Sequence, residues 1–214
     1  MKLTIIYDNE AAEEGLVADW GFSCLIEGDN MPTILFDTGA DGSILLHNMQ
    51  ELGITPGAIS IIVISHSHWD HAGGLEGILE VNKDAEIYLP ASFRWALPGR
   101  KVTSVTNAIK ISDNVFSTGE LGGIEQSLAL STSRGIFVVV GCSHPGVGKI
   151  MDAAAQWGKV AGILGGFHGF RDFKRLEDQS LVCPCHCTQY KAEIKQLFPE
   201  KCVDGGVGMV LELT

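Results

Sequence analysis

Short apolar runs separated by turn residues dominate the first half of the chain. Residues 2–7 alternate in polarity and are rich in isoleucine, which predicts an opening strand. Residues 59–64 form a nearly continuous β-branched run, as expected for a strand buried on both faces. Residues 42–52 repeat apolar positions at helical spacing, and Gly53 is placed to end that helix. The other elements predicted in this half are strands at 22–27, 33–36 and 86–89 and a short helix at 74–81.

The second half also alternates strands with helices, apart from one irregular stretch. Residues 93–107 lack a clear period, and we expect a loop that forms the rim of a cleft. Because the elements follow one another without a linker or a repeat, the sequence predicts one α/β domain over residues 1–214. Several hairpin-like strands are expected after residue 107, of which 136–140 is the clearest; the other elements predicted in this half are strands at 160–164, 181–182 and 209–213 and helices at 148–157 and 188–197.

Four of the predicted strands end in a segment that carries histidine. The strand at 59–64 leads to His66, and the later strands lead to His144, His168 and His186. Strand ends that converge at one edge of a sheet are where α/β folds usually place ligands. The pattern therefore predicts a site built from these strand ends. By contrast, His47 falls within a predicted amphipathic helix and is interpreted as a surface or packing residue.

Composition narrows the classes of function. Hydrophobic residues make up 45% and charged residues 19%, which is typical of a globular domain. The net charge of −11, with no cluster of Lys or Arg, argues against a nucleic-acid partner. No apolar stretch approaches the roughly 18 to 20 residues needed to span a bilayer. Six cysteines without a secretion signal are expected to be thiols, and a cytoplasmic location is expected.

The segment His66-Ser67-His68-Trp69-Asp70-His71 offers four potential metal ligands within six residues. Histidines two apart in an extended segment point the same way, so His66 and His68 can share one cation. A turn after His68 could direct Asp70 and His71 to a neighbouring position. Imidazole and carboxylate donors are those preferred by zinc, iron or manganese at hydrolytic sites. The alternative, a set of unrelated surface histidines, is disfavoured by this spacing after a buried strand.

This pattern resembles the metallo-β-lactamase superfamily, whose hallmark is His-x-His-x-Asp-His after a buried strand. The resemblance extends over essentially the whole chain and includes Phe36-Asp37-Thr38-Gly39 and the later histidines at strand ends. It implies a four-layer αββα sandwich with helices outside two central mixed sheets. It also implies two divalent metal ions, zinc first, with manganese or iron as alternatives, and a hydroxide between them as nucleophile. The ligands implied are His66, His68 and His144 for the first metal and Asp70, His71 and His186 for the second.

Within the superfamily, the sequence is most similar to the group of dihydropterin-linked ribofuranosylaminobenzene phosphate synthases. Motifs shared with that group begin at Tyr7, Gly141, Gly165 and His186. Because of two differences from that group, the sequence does not decide whether the substrate is a pterin. Asp19-Trp20-Gly21 stands where that group often has Glu-His-Gly, and the chain is somewhat short for a substrate-covering insertion.

His168 and Asp37 are the further candidate site residues. Many binuclear members carry a bridging Asp at the end of the strand that here finishes in Gly165-Gly166-Phe167-His168, and no acidic residue stands there. Three roles are open for His168: an extra ligand, an acid toward the leaving group, or a contact to substrate phosphate. We favour the acid or substrate role because six other ligands already fill two sites. Asp37 is either an ordinary turn or capping residue or an acceptor that supports a ligand imidazole.

The cysteines near His186 alternate along the chain. Cys183, Cys185 and Cys187 are expected to face one way on an extended segment while His186 faces the other. Their spacing lacks the two-residue gaps of usual structural zinc sites. A separate thiolate metal site that uses Cys202 or Cys142 stays open, but buried thiols are favoured, with Cys142 packed beneath His144.

The function expected from these residues is hydrolysis of an ester or phosphoester by a metal-bound hydroxide. Asp70 would orient the hydroxide as well as bind metal, and His168 would assist departure of the leaving group. The alternatives are an iron-dependent oxidoreductase, a pterin-related synthase and a non-catalytic metal-binding protein. The expected partner is a small molecule, phosphorylated or anionic, with specificity set by residues 91–107 and 170–179. In the second segment, Arg171, Lys174 and Arg175 either hold a phosphate or form a solvated loop.

Overall fold

A computed structural model describes residues 1–213 of the chain and shows two mixed sheets. The first sheet has the strand order 13-1-2-3-4-5-6, and the second has the order 12-11-10-9-8-7. In chain order, the strands are Lys2–Tyr7 (β1), Ser23–Glu27 (β2), Ile34–Phe36 (β3), Ile61–Val63 (β4), Glu86–Pro90 (β5), Val102–Val105 (β6), Ile109–Ser112 (β7), Val115–Ser117 (β8), Leu128–Thr132 (β9), Gly135–Val140 (β10), Val160–Gly166 (β11), Leu181–Cys185 (β12) and Val210–Glu212 (β13).

Each sheet is antiparallel on one side and parallel on the other. In the first sheet, β3 to β6 run parallel, whereas β13, β1, β2 and β3 are antiparallel neighbours. In the second, β10, β11 and β12 run parallel, and β7 to β10 are antiparallel. Parallel neighbours need crossover connections, which helices supply. The helices are Gly42–Glu51 (α1), Trp69–Ala72 (α2), Leu75–Val81 (α3), Val147–Ala154 (α4) and Lys191–Leu197 (α5), with short 3-10 turns at Pro56–Ala58, Ala155–Trp157 and Phe173–Leu176.

Three apolar clusters define four layers. The central cluster lies between the sheets and joins Phe36 and Val63 of the first sheet to Val139 and Leu164 of the second. A second cluster packs α1 and α3 on the outer face of the first sheet. A third packs α4 and α5 on the outer face of the second sheet, where Ile150 contributes. The predicted α/β class and the four-layer αββα sandwich are therefore confirmed.

Two stretches differ from the sequence-based prediction. Residues 93–107 are not irregular throughout, since Val102–Val105 forms β6 at the edge of the first sheet. Only Val105 of that strand is buried, so an edge strand of this kind leaves no clear apolar pattern. The helix expected from residue 188 begins at Lys191 because Thr188 is held in a turn. The Thr188 hydroxyl donates to the Cys185 carbonyl at 2.7 Å and accepts from the Phe167 N–H at 2.9 Å.

Within residues 1–213, the helices are all too short or too polar to cross a bilayer.

Candidate metal centre

Loops from both sheets meet at one end of the sandwich. After β4, His66 and His68 lie in a loop and Asp70 and His71 lie on α2, while the loops after β10, β11 and β12 carry His144, His168 and His186. The sequence placed these strand ends at one sheet edge, but the structure assigns β4 to the first sheet and the other three to the second. The site therefore lies where two sheet edges face each other.

Several of these loops hold non-glycine residues in left-handed backbone. Ser143, His168 and His186 have φ of 62°, 47° and 48°, and Asp37 beneath them has φ of 60°. This conformation is uncommon for residues with a Cβ and persists only where the surrounding structure fixes it. The loops that carry the histidines are thus held in turns that direct their side chains.

Three imidazoles meet at the first predicted metal position. His66 Nε2 lies 3.0 Å from His68 Nδ1, and His144 Nε2 lies 3.2 Å from each of those atoms. Burial, followed by the charge of neighbouring histidines, lowers the pKa of His66 far below its usual range. Burial and the nearby His168 lower the pKa of His144 to about 4. Neutral rings whose nitrogens converge this closely suit a shared cation.

The second predicted position gathers Asp70, His71 and His186. Asp70 Oδ2 lies 3.9 Å from His71 Nε2 and 3.4 Å from His186 Nε2. The latter contact is poorly directed, and among residues 1–213 His186 Nε2 is buried without a hydrogen-bond partner. Burial alone would raise the pKa of Asp70, but contact with His186 and the charge of His71 hold it well below its usual range. A buried unpartnered nitrogen beside an ionised carboxylate fits a cation.

Cys142 joins this cluster, which the sequence did not predict. Its Sγ lies 3.1 Å from His71 Nε2 and also within 4.8 Å of a His144 ring nitrogen. Donor atoms of Asp70, His71, Cys142 and His186 all lie within 4.8 Å of one another, and all four residues are buried. A donor set of nitrogen, oxygen and sulfur suits a divalent cation of intermediate softness, such as zinc.

The expected arrangement of the other cysteines is wrong for one of them. Cys183 and Cys185 face the core between the sheets, as alternation along β12 requires. Cys187 instead lies with Cys142 and His168 in a third group whose donor atoms are within 4.8 Å of one another. The strand ends at Cys185 and His186 turns the backbone into the left-handed region, so the alternation stops there.

Acceptors behind the rings, one buried and one partly buried, orient two of the predicted ligands. Asp37 Oδ2 lies 2.7 Å from His71 Nδ1, and Asp37 also accepts from the Ser65 N–H at 2.6 Å and the Ser65 hydroxyl at 2.7 Å. Asn9 Oδ1 lies 3.0 Å from His186 Nδ1. Such partners fix the tautomer and the direction of a metal-binding imidazole. The supporting interpretation of Asp37 therefore agrees with its contacts better than a capping role.

Glu125 is a supporting residue that sequence reasoning missed. Its carboxylate accepts from the backbone N–H groups of Cys142 at 3.1 Å, Ser143 at 3.0 Å and His144 at 2.8 Å. Burial raises the pKa of Glu125 to about 7, although these three N–H groups oppose the shift. The carboxylate thereby fixes the loop that carries Cys142 and His144. No motif surrounds Glu125 in the sequence, so only its contacts could identify it.

A cavity of about 330 Å³ opens over the two predicted positions. His168 lies in its wall, with its ring centroid 4.6 Å from that of His144. Within the described part of the chain, His168 Nε2 is buried without a hydrogen-bond partner. The cavity is lined by Trp20, His68, Trp69, Asp70, Cys142, His144, His168 and Cys187.

Two tryptophans give the cavity an aromatic mouth. Trp20 and Trp69 are 49% and 61% exposed, although both are large apolar residues. Trp20 Nε1 donates to Asp70 Oδ2 at 2.9 Å, so this ring is held directly over a predicted ligand. Exposed ring faces at a cavity mouth favour contact with a planar or apolar part of a substrate.

Other candidates lie away from the cavity. Arg171 stacks on the Tyr190 ring at 4.4 Å, and Arg175 pairs with Asp152 and Asp172. Neither arginine lines the cavity, so the structure gives them no phosphate-binding role there. His47 lies on α1 with Nε2 3.2 Å from the Gly15 carbonyl, in agreement with its assignment as a surface or packing residue.

A two-sheet sandwich that gathers histidines, aspartate and cysteine at its strand ends defines a class of metal-binding α/β proteins. The family model of the metallo-β-lactamase superfamily matches residues 21–141 of this chain. The chain belongs to the metallo-β-lactamase superfamily.

Individual relatives agree with this membership. The chain is 29% identical to 7,8-dihydropterin-6-methyl-4-(beta-D-ribofuranosyl)-aminobenzene-5'-phosphate synthase of Methanocaldococcus jannaschii, over 81% of this chain and 82% of that protein. The predicted similarity to that group is therefore confirmed. Among solved structures, Tm1679, a metal-dependent hydrolase of the beta-lactamase superfamily, is 25% identical and superposes with a TM-score of 0.78 over 100% of this chain and 99% of that one. YhfI from Bacillus subtilis shares the fold at 10% identity, with a TM-score of 0.70 over 99% of each chain.

Proposed function

We propose that this chain is a binuclear metal-dependent hydrolase that acts on an ester or phosphoester of a small molecule. The observation that carries the proposal is the triangle of His66, His68 and His144 nitrogens at 3.0 to 3.2 Å, beside the buried Asp70, His71 and His186 group. The similarity to a metal-dependent hydrolase at a TM-score of 0.78 supports it. Zinc is the expected metal, with manganese or iron as alternatives.

The His66, His68 and His144 triangle and the Asp70, His71 and His186 group would each hold a divalent cation, which would act as a Lewis acid and lower the pKa of water from about 16 to about 7. The residues of the chain orient the water, donate a proton and contact the substrate. Asp70 accepts a hydrogen bond and orients the attacking water. His168 lies in the cavity wall, and we assign its ring the role of donor to the departing oxygen. Trp20 and Trp69 exclude solvent from one side and contact the substrate.

The test is a screen of phosphoesters, thioesters and lactones with zinc, manganese and iron supplied in turn. Asp70→Ala and His68→Ala are expected to abolish turnover while the circular dichroism spectrum is retained. His47→Ala is the matched control, since this histidine lies away from the cavity, and it should keep full activity. Normal hydrolysis by metal-free Asp70→Ala protein would overturn the proposal. Bound iron with oxygen consumption would favour the oxidoreductase alternative instead.

A second candidate is a pterin-related synthase that forms a carbon–nitrogen bond. It is favoured by the 29% identical relative, whose name describes a synthase, and by the two exposed tryptophans at the cavity mouth. Flat ring faces suit a planar heterocycle. Incubation with a dihydropterin pyrophosphate and an aminobenzene ribotide distinguishes the two functions. Coupled product without hydrolysis of either compound would identify the synthase.

The proposed partner is a small anionic or phosphorylated molecule rather than a nucleic acid or a membrane. The net charge of −11 disfavours phosphate backbones, whereas two cations in the cavity would attract a small anion. A cytoplasmic location is proposed because the six cysteines are free thiols, which reducing compartments preserve.

A further inference from the structure

The Cys142 thiol is the donor that the three clusters of the site have in common. Its Sγ lies within 4.8 Å of donor atoms in the Asp70, His71 and His186 group and of those in the His66 and His144 pair. It also lies within that distance of His168 and Cys187. One sulfur therefore lies near donor atoms of both predicted metal positions and near His168.

The position of Cys142 is fixed by its surroundings. Its backbone N–H donates to the buried Glu125 carboxylate, and its side chain is 3% exposed. The Sγ atom approaches His71 Nε2 to 3.1 Å, while the opposite ring nitrogen of His71 is held by Asp37. A thiol packed merely as an apolar side chain would face the core, as Cys183 does, rather than a ring nitrogen in a polar cavity.

The sulfur of Cys142 is the fourth donor of the group that contains Asp70, His71 and His186. One oxygen, two nitrogens and one sulfur within 4.8 Å are the number and kinds of donor that a tetrahedral zinc ion takes. The buried Nε2 of His186, which has no hydrogen-bond partner among residues 1–213, gives a second indication that an ion belongs here. The thiol also lies within 4.8 Å of His66 and His144 donors, but its 3.1 Å contact is with His71 Nε2, and the triangle of His66, His68 and His144 already provides three nitrogens.

We propose that Cys142 Sγ is a direct ligand of the cation at the Asp70–His71–His186 position, so that the centre carries a thiolate. This inference rests on the metal centre of the proposed function and names a further ligand for it. When the cation binds, the S–H bond breaks, the sulfur keeps the electron pair, and the proton leaves to solvent. Thiolate ligation favours zinc or iron(II) over manganese or magnesium at this position.

Cys187 supports the thiolate and does not bind the same cation. It lies outside the four-donor group, and its Sγ is 3.8 Å from the Cys142 carbonyl oxygen, to which it donates. A side chain in this place stabilises the Cys142 loop. The two cysteines therefore have different expected effects on the metal spectrum.

The test replaces the native metal with cobalt(II), whose thiolate complexes show a sulfur-to-cobalt charge-transfer band in the near ultraviolet. The wild-type chain is expected to show the band, and Cys142→Ser is expected to lose it and to bind zinc about tenfold or more weakly. Cys187→Ser should keep the band, and Cys202→Ser, a thiol away from the centre, should match the wild type. Absence of the band from the wild type, or its persistence in Cys142→Ser, overturns the proposal.

X-ray absorption at the zinc edge tests the same ligand without depending on the folding of Cys142→Ser. The zinc-loaded wild type and Cys187→Ser should each show sulfur at about 2.3 Å from zinc. No sulfur in the wild type, or its loss in Cys187→Ser, contradicts the assignment. Hydrolysis is measured separately: a chain that hydrolyses a phosphoester without a cobalt–sulfur band refutes only the thiolate, and one with the band but no hydrolysis refutes only the proposed reaction.

Discussion

Carboxylates buried behind the ligand side chains determine how the centre is held. Asp37 contacts both His71 and Ser65, and Asp8 accepts from the backbone N–H of His186 at 2.9 Å. Burial raises the pKa of Asp37 and of Asp8, and donated hydrogen bonds partly offset this effect. A buried carboxylate lowers the stability of the fold unless it is hydrogen-bonded. Asp37 and Asp8 accept such hydrogen bonds and thereby fix the loops that carry the ligands.

Glu125 provides the strongest single test of such support. Glu125→Ala leaves the N–H groups of Cys142, Ser143 and His144 without their acceptor. Because each buried N–H left unpaired is costly, the free energy of unfolding should fall by about 2 kcal/mol or more. Urea denaturation measures the loss. Glu125→Gln keeps an amide oxygen and should lose less, while Glu193→Ala, at an exposed glutamate, should change little. Equal stability of Glu125→Ala and the wild type would contradict this role.

The parallel pair β10 and β11 brings two of the site loops together. Val140, the last residue of β10, pairs with Gly165 of β11, and the loops that carry His144 and His168 start just beyond. Gly165 has φ of 130°, and a Cβ there would lie 2.0 Å from the Val140 carbonyl oxygen. Glycine is required at this point because the two backbones approach too closely for any side chain.

Gly165→Ala is therefore expected to separate these strand ends. The strained backbone alone should lower the free energy of unfolding by about 1 to 3 kcal/mol, and the contact with Val140 should add to that. Gly57→Ala is the matched control, because a Cβ at Gly57 would meet no other described residue within 4 Å. Thermal unfolding of the two variants measures the difference. A Gly165→Ala chain as stable as Gly57→Ala would show that the close approach is not required.

The predicted metal centre connects the two sheets of the molecule. His66 to His71 follow β4 of the first sheet, whereas His144 and His186 follow β10 and β12 of the second. A cation bound between them would add a link to the apolar core and to the polar contacts, such as that of Cys142 with His71, that already join these loops. Metal binding should consequently stabilise the fold as a whole, because the unfolded chain holds these donors far apart.

Metal removal tests this coupling directly. With free zinc at one hundred times its dissociation constant, each site should add about 2.7 kcal/mol to the free energy of unfolding. For a chain of this size, the midpoint temperature of thermal unfolding should rise by roughly 5 to 10 °C per site. His47→Ala should keep the full zinc-dependent rise, and His66→Ala should lose much of it. Identical midpoints for the chelator-treated and zinc-loaded wild type would contradict a metal centre between the sheets.

The sequence predicted most elements because their periodicity is local. The strand at 136–140 and the helix at 42–52 match Gly135–Val140 and Gly42–Glu51 closely. The strand Val102–Val105 was missed because an edge strand with one buried residue has no alternation to detect. The extent of the domain, predicted as residues 1–214, stays a prediction.

By itself, the sequence determined the fold class and the group of His66, His68, Asp70 and His71, since backbone spacing directs side chains only a few residues apart. The strand-end pattern also pointed to His144, His168 and His186, and the resemblance to a known family assigned His144 and His186 to the two metals. Only the tertiary structure decided that Cys142 faces His71, that Glu125 holds the loop above it, and that Trp20 reaches Asp70. These contacts join residues up to 71 positions apart, and they arise where two sheet edges pack together, which no local pattern encodes.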